Sequence, residues 1–461
     1  MIAPIPEAVL SALKQAVGDG NWSQDPERLA PHLVEWRERW SGATPLLALP
    51  RTAEAVAAVV AICARAGVAI TPQGGNTGLV GGQIPQGEIL LSTERLTATR
   101  AVDTVDDVII VEAGLTLAAV HEAAVNAGRF FPLSLASEGS ATIGGLVSTN
   151  AGGTAVLRYG TMRALVLGLE AVLPDGRLWN GLKRLRKDNT GYDLKQLLIG
   201  AEGTLGVVTA AALKLFPILP SRAVAFVGLA SPADAMALLV RARNETGGAV
   251  EAFELIGALG MDLVLAHLPG ARPPLEGRPP WYVLIEVADA RRGTAEAAMQ
   301  RFLEGALADG LISDAAVAQN ETQARAFWAL RENQSAAQKS EGTAWKHDVA
   351  VPISRVADFI EAAVAALTAR FGDVRIDAFG HVGDGNIHYD VLGPLEGRDE
   401  GARIVHGIVH DLGGSISAEH GLGTMKTAEA AAYKGPEELA ALRAIRAALD
   451  PARIMNPRVL F

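Results

Sequence analysis

The chain has 461 residues, a formal net charge of −10, 49 % hydrophobic and 20 % charged residues, and one cysteine. Its length predicts two or three domains, and its apolar fraction supports large buried cores rather than disorder. The acidic balance argues against a nucleic-acid partner. A single cysteine, Cys63, excludes internal disulfides and cysteine-rich metal or iron–sulfur sites, so any metal must use His, Asp or Glu.

The opening stretch MIAPIPEAVLSALKQAVGDG has no basic leader and reads as a short amphipathic helix. Apolar runs along the chain are broken well short of the ~20 residues that span a bilayer. No transmembrane segment and a cytoplasmic location are therefore expected. LLAL (46–49) reads as a short strand, 53–66 as a helix, and 68–71, 89–92 and 108–112 as strands. A helix is expected over 117–127 and strands over 166–173 and 205–215. Residues 130–160, rich in Gly, Ser, Thr and Asn, carry no clean period, and long irregular stretches in compact domains are usually functional. Pro217 and Pro220 mark a boundary, after which a strand (223–229) and a helix (232–243) follow. Ser231 is the N-cap of that helix and Pro232 its first residue. Further expected elements are a strand at 282–287, helices at 293–309 and 321–337, strands at 346–351 and 374–379 flanking a helix at 353–371, and a final helix at 436–449.

Three glycine-rich blocks stand out. TPQGGNTGLVGG (71–82) follows a strand and can present a row of backbone N–H groups to an anion, but it fits neither GxGxxG nor the P-loop spacing. SLASEGSATIGGLVSTNAGG (134–153) supplies small residues and hydroxyls that can lie along a dinucleotide. NTGYDLKQLLIGAEGTLGVVT (189–209) is the third. Each alone could be a tight surface loop; three in one domain point to an extended cofactor. With these blocks, region 46–217 resembles the FAD-binding domain of the vanillyl-alcohol-oxidase type flavoproteins. The resemblance assigns Pro72, Gly74, Gly75, Asn76, Thr77 and Gly78 to the pyrophosphate. It assigns Glu138, Gly139, Ser140, Thr142, Gly145, Ser148, Asn150 and Gly152 to the rest of FAD, with Gly203, Val208 and the tail residue Asn456 completing the set. The first loop offers neither His nor Cys, so noncovalent FAD is expected.

DAFGHVGDGNIHYDV (377–391) predicts a hairpin with Asp384-Gly385 at a two-residue turn, since a type I′ turn needs positive φ at both central positions. That register sets His381 opposite His388, close enough to share a metal, with Asn386 and Asp390 on the same face. Glu419 and His420 follow in SAEHGLGTMK (417–426). Two His and one carboxylate suit a divalent metal with open positions, although two His seven apart are more often ordinary surface or core residues.

GHVGDGNIH and SAEHGLG together resemble the C-terminal domain of the D-2-hydroxyglutarate and D-lactate dehydrogenase group. The resemblance implies that His381, His388 and Glu419 bind Zn²⁺ and that His420 is the catalytic base. It extends to FWALRENQSAAQKSEGTAWKHDVAVP (327–352), where Arg331, Ser335 and Lys346 fall at substrate-holding positions. Arg and Lys suit carboxylates. Arg331 and Ser335, four apart, would share a helix face, which could equally be a solvated one. Relatives specific for 2-hydroxyglutarate often carry Asn where Asp390 stands, and an Asp there would repel a second substrate carboxylate or bind the metal itself.

The expected architecture is α+β. An FAD-binding domain of two α/β subdomains (1–218) precedes a substrate domain with an antiparallel sheet and flanking helices (219–412). A helical C-terminal segment (413–461) carries the Glu-His motif back to the FAD domain. The expected activity is oxidation of a D-2-hydroxy acid, best D-2-hydroxyglutarate, by hydride transfer to flavin N5. The alternatives are a D-lactate dehydrogenase, a flavoprotein subunit of a glycolate-oxidase-like complex, or a noncatalytic FAD or metal-binding module. Nothing resembles an NAD fingerprint, so the acceptor is expected to be electron-transfer flavoprotein, a quinone or a cytochrome, and relatives suggest a homodimer. Zn²⁺ is the first choice of metal, and Mn²⁺, Fe²⁺ and Co²⁺ suit the same donors.

Overall fold

A computed structural model of the chain describes residues 5–394 and 396–461. It divides into two compact units. One comprises residues up to Gly153, Gly160–Pro217 and Glu419–Phe461, and the other comprises Thr154–Tyr159 and Ile218–Ala418. Among the described residues no helix is long and apolar enough to cross a membrane. Residues 1–4 of the expected N-terminal helix lie outside the described residues; the remainder forms Glu7–Val17, burying Leu10, Leu13 and Val17.

The first unit holds a four-stranded sheet and a five-stranded sheet. In the smaller one Ile70–Gln73 and Leu47–Ala48 both run parallel to Ile89–Ser92. The helix Ala53–Ala66 packs on it through Val56, Val59, Val60 and Cys63. Its ends are set locally: Thr52 accepts a hydrogen bond from the Ala55 N–H at 3.1 Å, and Gly67 closes it with φ 64°. The larger sheet is antiparallel, in the order Thr99–Asp103, Val108–Glu112, Val207–Lys214, Val166–Val172, Leu178–Gly181. Val166–Val172 is buried throughout, as a central strand covered on both faces should be.

The second unit is built on one large antiparallel sheet. Its long strands Ser221–Leu229, Trp281–Asp289 and Val250–Gly257 lead to the hairpin Arg375–Gly380 and Asn386–Leu392. Helices Pro232–Glu245, Thr294–Ala308 and Val356–Phe371 bury apolar stripes in this unit. Ser231 caps the first of them through the Asp234 N–H at 3.2 Å. This unit ends at Ala418 rather than at the expected 412. The reason is that Ser415 exchanges backbone bonds with Ala350 at 2.7 and 2.9 Å and the Ala418 N–H reaches Asp348 O at 3.3 Å.

Two expected elements are broken. The helix expected over 321–337 is two helices, Glu321–Glu332 and Gln334–Ser340, separated at Asn333. The strand expected over 346–351 is two short pieces, Ala344–Trp345 and Asp348–Ala350, with Lys346 and His347 between them. Both breaks turn polar side chains toward the same region of the sheet.

Candidate cofactor cleft and metal-binding group

In the first unit a cleft of about 470 Å³ is lined by Gly74, Gly75, Asn76, Ser140 and Thr142, together with Pro31, His32, Glu94, Thr97, Gly114 and Thr116. The two glycine-rich loops meet here at backbone distance. A Cβ on Gly75 would collide with Ser140 O, and one on Gly74 with Thr142 Oγ1. Thr142 precedes the helix Ile143–Thr149 but does not cap it, and its buried Oγ1 has no protein partner. A buried hydroxyl without a partner, facing a backbone-lined cleft, suits the polar atoms of a bound nucleotide.

Other residues assigned to FAD have structural duties. Asn76 sits at φ 52° and donates to Pro31 O and Val34 O at 3.0 and 2.9 Å. Asn150 sits at φ 51°, and its Oδ1 accepts from Thr161 Oγ1 and the Arg163 N–H, both at 2.9 Å. Asn456 donates to Gly82 O at 3.0 Å and Glu202 O at 2.9 Å. A Cβ on Gly203 would press on Pro72, one on Gly78 on the Gln83 side chain, and Val208 lies buried in the Val207–Lys214 strand. Among the cleft residues not anticipated, Gly114 and Thr116 had a readable signal. They follow a strand and open the helix Leu117–Asn126, which Thr116 caps at the Ala119 N–H.

In the second unit His381 and His388 come together, but not as a directly opposed pair. His388 is the register partner of Phe379, and Asp390 of Asp377. The connection runs over residues 381–385 with turn bonds from the Asp384 N–H to His381 O at 3.1 Å and from the Gly385 N–H to Val382 O at 3.3 Å. Only Gly385 of the central pair has positive φ, 88°, so a type I′ turn does not form. His381 therefore reaches His388 from the loop, with ring centroids 6.1 Å apart. His381 and His388 can each offer a ring nitrogen within this unit, whereas Glu419 opens the C-terminal segment of the first unit. Glu419 directly follows Ala418, and His420, half-buried, comes next.

A second set of residues orients these groups. The His381 Nδ1 is 2.7 Å from Glu254 Oε1, and Arg331 Nε donates to Glu254 Oε2 at 2.7 Å. Burial opposes ionisation of Glu254, but the charges of His381 and Arg331 outweigh it and hold the carboxyl at about 2. The Arg331 guanidinium stacks over Phe379 at 5.1 Å, and its Nη2 is 3.5 Å from His381 Nε2. His388 Nδ1 lies 3.9 Å from Asp348 Oδ1, which accepts from Asn386 Nδ2 at 3.0 Å. Asn386 also donates to Val349 O.

Lys346 is already paired: it donates to Gln338 Oε1 and, at 3.0 Å, to Asp390 Oδ2. Asp390 also accepts from the His347 N–H at 3.3 Å. Burial raises the Asp390 carboxyl, and Lys346 offsets part of that rise. Asp390 thus faces an internal cation, Lys346. Ser335 does not share a face with Arg331. The helix is interrupted between them, so Ser335 is exposed while Arg331 is buried, and Gln334 and Gln338 point inward instead. Glu254, Asp348, Asp377 and the two glutamines were not anticipated. The carboxylates had a signal, since each stands in a strand with apolar residues directly beside it.

A Gly-lined cleft beside two sheets and a separate antiparallel sheet bearing polar residues, taken with the following similarities, place the chain among flavin-linked oxidoreductases acting on CH–OH donors. Residues 44–181 match the family described as FAD binding domain, and residues 218–460 that described as FAD linked oxidases, C-terminal domain. The chain is 41 % identical to D-2-hydroxyglutarate dehydrogenase, mitochondrial, of Bos taurus, over 98 % of this chain and 83 % of that one. It is 37 % identical to D-2-hydroxyglutarate dehydrogenase of Xanthomonas citri pv. viticola, over 98 % and 96 %. Among solved structures, p-cresol methylhydroxylase with substrate bound shares the fold at TM-score 0.75 and 16 % identity, covering 98 % of this chain and 96 % of that one. The chain belongs to the FAD-linked oxidase family of the vanillyl-alcohol-oxidase type, in its D-2-hydroxyglutarate and D-lactate dehydrogenase group, and is an FAD-dependent 2-hydroxy acid dehydrogenase. The expected cytoplasmic location is overturned, because the Bos taurus, Danio rerio and Arabidopsis thaliana relatives are named as mitochondrial proteins.

Proposed function

We propose that the chain oxidises a D-2-hydroxy acid, D-2-hydroxyglutarate first, to the 2-oxo acid, with a divalent metal, Zn²⁺ first, on His381, His388 and Glu419. The observation that carries this reading is the pair of imidazoles of His381 and His388, ring centroids 6.1 Å apart, beside the buried Arg331; the Glu-His pair of the SAEHGLG motif supplies the carboxylate. The donor set fits a metal. Glu254 accepts from His381 Nδ1, which fixes the proton there and leaves the Nε2 lone pair for an ion. A bound ion would supply Lewis acidity toward the substrate hydroxyl, and bound FAD the hydride acceptor at N5.

The chain's own residues then have separate tasks. Glu254 anchors Arg331 through Nε, which presents the Nη edge to a substrate carboxylate. Lys346 is the second cation for a carboxylate. His420 takes the hydroxyl proton as general base. Electrons leave to an acceptor other than NAD, such as electron-transfer flavoprotein or a quinone. The Lys346–Asp390 pair favours a second reading, in which the acid carries one carboxylate, as D-lactate does.

Anaerobic bleaching of the flavin by D- and L-2-hydroxyglutarate, lactate and malate tests the proposal. D-2-hydroxyglutarate should bleach fastest; a preference for D-lactate selects the second reading, and bleaching by the L acids alone overturns both. His420→Ala should keep the yellow colour and lose bleaching. A chelator should abolish turnover with the flavin retained, and indifference to it would remove the metal.

A further inference from the structure

A buried polar chain runs behind Lys346. Gln338 Nε2 donates to Asp377 Oδ2 at 2.6 Å, while Gln338 Oε1 accepts from Lys346. The amide of Gln338 is therefore oriented at both ends. The other Asp377 oxygen, Oδ1, has no partner, and neither does Gln334 Oε1. Both residues are essentially without solvent contact, at 0 % and 1 % exposure. The two oxygens flank one point: each lies 2.4 Å from where a Cβ on Gly260 would stand, so only glycine fits beside them. Gln334 cannot resolve this by turning its amide over. Its Nε2 donates to Leu330 O at 2.8 Å, and reversal would only move the clash of acceptors onto that carbonyl.

We infer that Asp377 is held as a neutral acid, its Oδ1–H donated to Gln334 Oε1, and that it acts as a positioning residue that keeps Gln338 and hence Lys346 in place. One proton would satisfy both unpartnered oxygens at once, where an ionised Asp377 leaves two buried acceptors beside Gly260 with no donor. The charges around it agree. Asp390 is its register partner across the hairpin and repels a second negative charge. Lys346 is engaged by Asp390 at 3.0 Å and Arg331 by Glu254 at 2.7 Å. The neighbouring helix Ala258–His267 presents Gly260; its Asp262 pairs with Arg278 and its His267 with Glu341. Burial is the main cause that moves the Asp377 carboxyl up, to about 7, with Asp390 adding to the rise against Gln338, Lys346 and Arg331.

The sign of the pH effect follows. A carboxyl raised above its unfolded value of ~3.9 gives stability that is fully present below that value. It is lost as pH rises toward about 7. Above that, a second carboxylate beside Asp390 competes for Lys346. The positioning role rests on the proposed use of Lys346 for substrate; the protonation does not.

The test uses the FAD-loaded full chain. Infrared difference spectra between pH 5.5 and 8.5 should show loss of a protonated-carboxyl C=O band in the native protein and no such band in Asp377→Asn. The carboxamide of that variant can donate to Gln334 and accept from Gln338, so its melting temperature should lose the decline that Asp377 imposes as pH rises toward 7. KM for the bleaching acid should rise several-fold from pH 6 to pH 8.5 in the native chain with kcat following a separate profile, and that rise should vanish in Asp377→Asn. Should the variant fail to fold, carboxyl-labelled aspartate NMR of the native chain gives the same answer through one aspartate titrating near 7. An ionised Asp377 at pH 5.5, with water bridging the two oxygens, would overturn the inference. A protonated Asp377 with a flat KM profile would overturn its positioning role and leave the protonation standing.

Discussion

Glu254 shows how one residue can organise a site without belonging to its reactive set. It is 1 % exposed and binds His381 with one oxygen and Arg331 with the other. A buried charge needs such partners, and their removal leaves them uncompensated. Glu254→Gln keeps the shape, loses the charge and can place an N–H against His381. Metal affinity should fall about 10- to 100-fold, the usual effect of losing a carboxylate behind a ligating histidine; competition against a chromogenic chelator measures it. Unchanged affinity would mean that His381 is oriented by something else. Asp390 is the opposite case, an acid that occupies a cation substrate could use. Asp390→Asn should free Lys346 and improve KM for D-2-hydroxyglutarate relative to D-lactate by about tenfold, the scale of one charge-assisted hydrogen bond. Paired steady-state assays read that ratio, and no change in it would exclude Asp390 from specificity.

Among the elements, the two glycine-rich loops meet backbone to backbone, which makes glycine a requirement of packing. Gly75→Ala drives a Cβ into Ser140 O, a backbone atom that cannot rotate away. The variant should fold, by circular dichroism, yet purify with little flavin absorbance, whereas Gly277→Ala, which meets nothing within 4 Å, should be silent. Full flavin content in Gly75→Ala would show that these loops can separate without cost to the cleft. Helices with a cap and an apolar stripe, such as Ala53–Ala66 and Pro232–Glu245, were legible in the sequence nearly to the residue. The hairpin was legible as a hairpin but not in its register. Asp-Gly suggested a two-residue turn, while Gly380, at φ 152°, leaves the ladder early and lengthens the loop. The helix Ile143–Thr149 was not legible at all, because its Gly-Gly pair has poor helical propensity and only tertiary contacts hold it. At the site, the candidate residues came from motif and spacing, whereas Glu254, Asp348 and Asp377 gain their partners only through contacts with residues distant in sequence.

For the first unit as a whole, the C-terminal tail holds the cofactor loops to one another. Ile70 exchanges backbone bonds with Ile454 and Asn456, both at 2.8 Å, which carries the tail onto the strand that leads into the first loop. Asn456 then reaches Gly82 O in that loop and Glu202 O in the third. The Glu202 carboxylate accepts from the Leu422 and Gly423 N–H groups at 2.9 and 2.8 Å, fixing the turn just after His420. Arg446, 3 % exposed, secures the tail by donating to Val459 O, Met455 O and Asn456 O. Arg446→Met retains the apolar stem and strips these buried carbonyls of their donor, a loss on the order of 3 kcal/mol. Since the tail joins the first and third loops, the damage should appear first as flavin loss. Heating should release flavin fluorescence several degrees before the secondary structure melts, and excess FAD should narrow that gap by mass action. Release that coincides with melting at the native temperature would mean that the loops hold the cofactor without the tail.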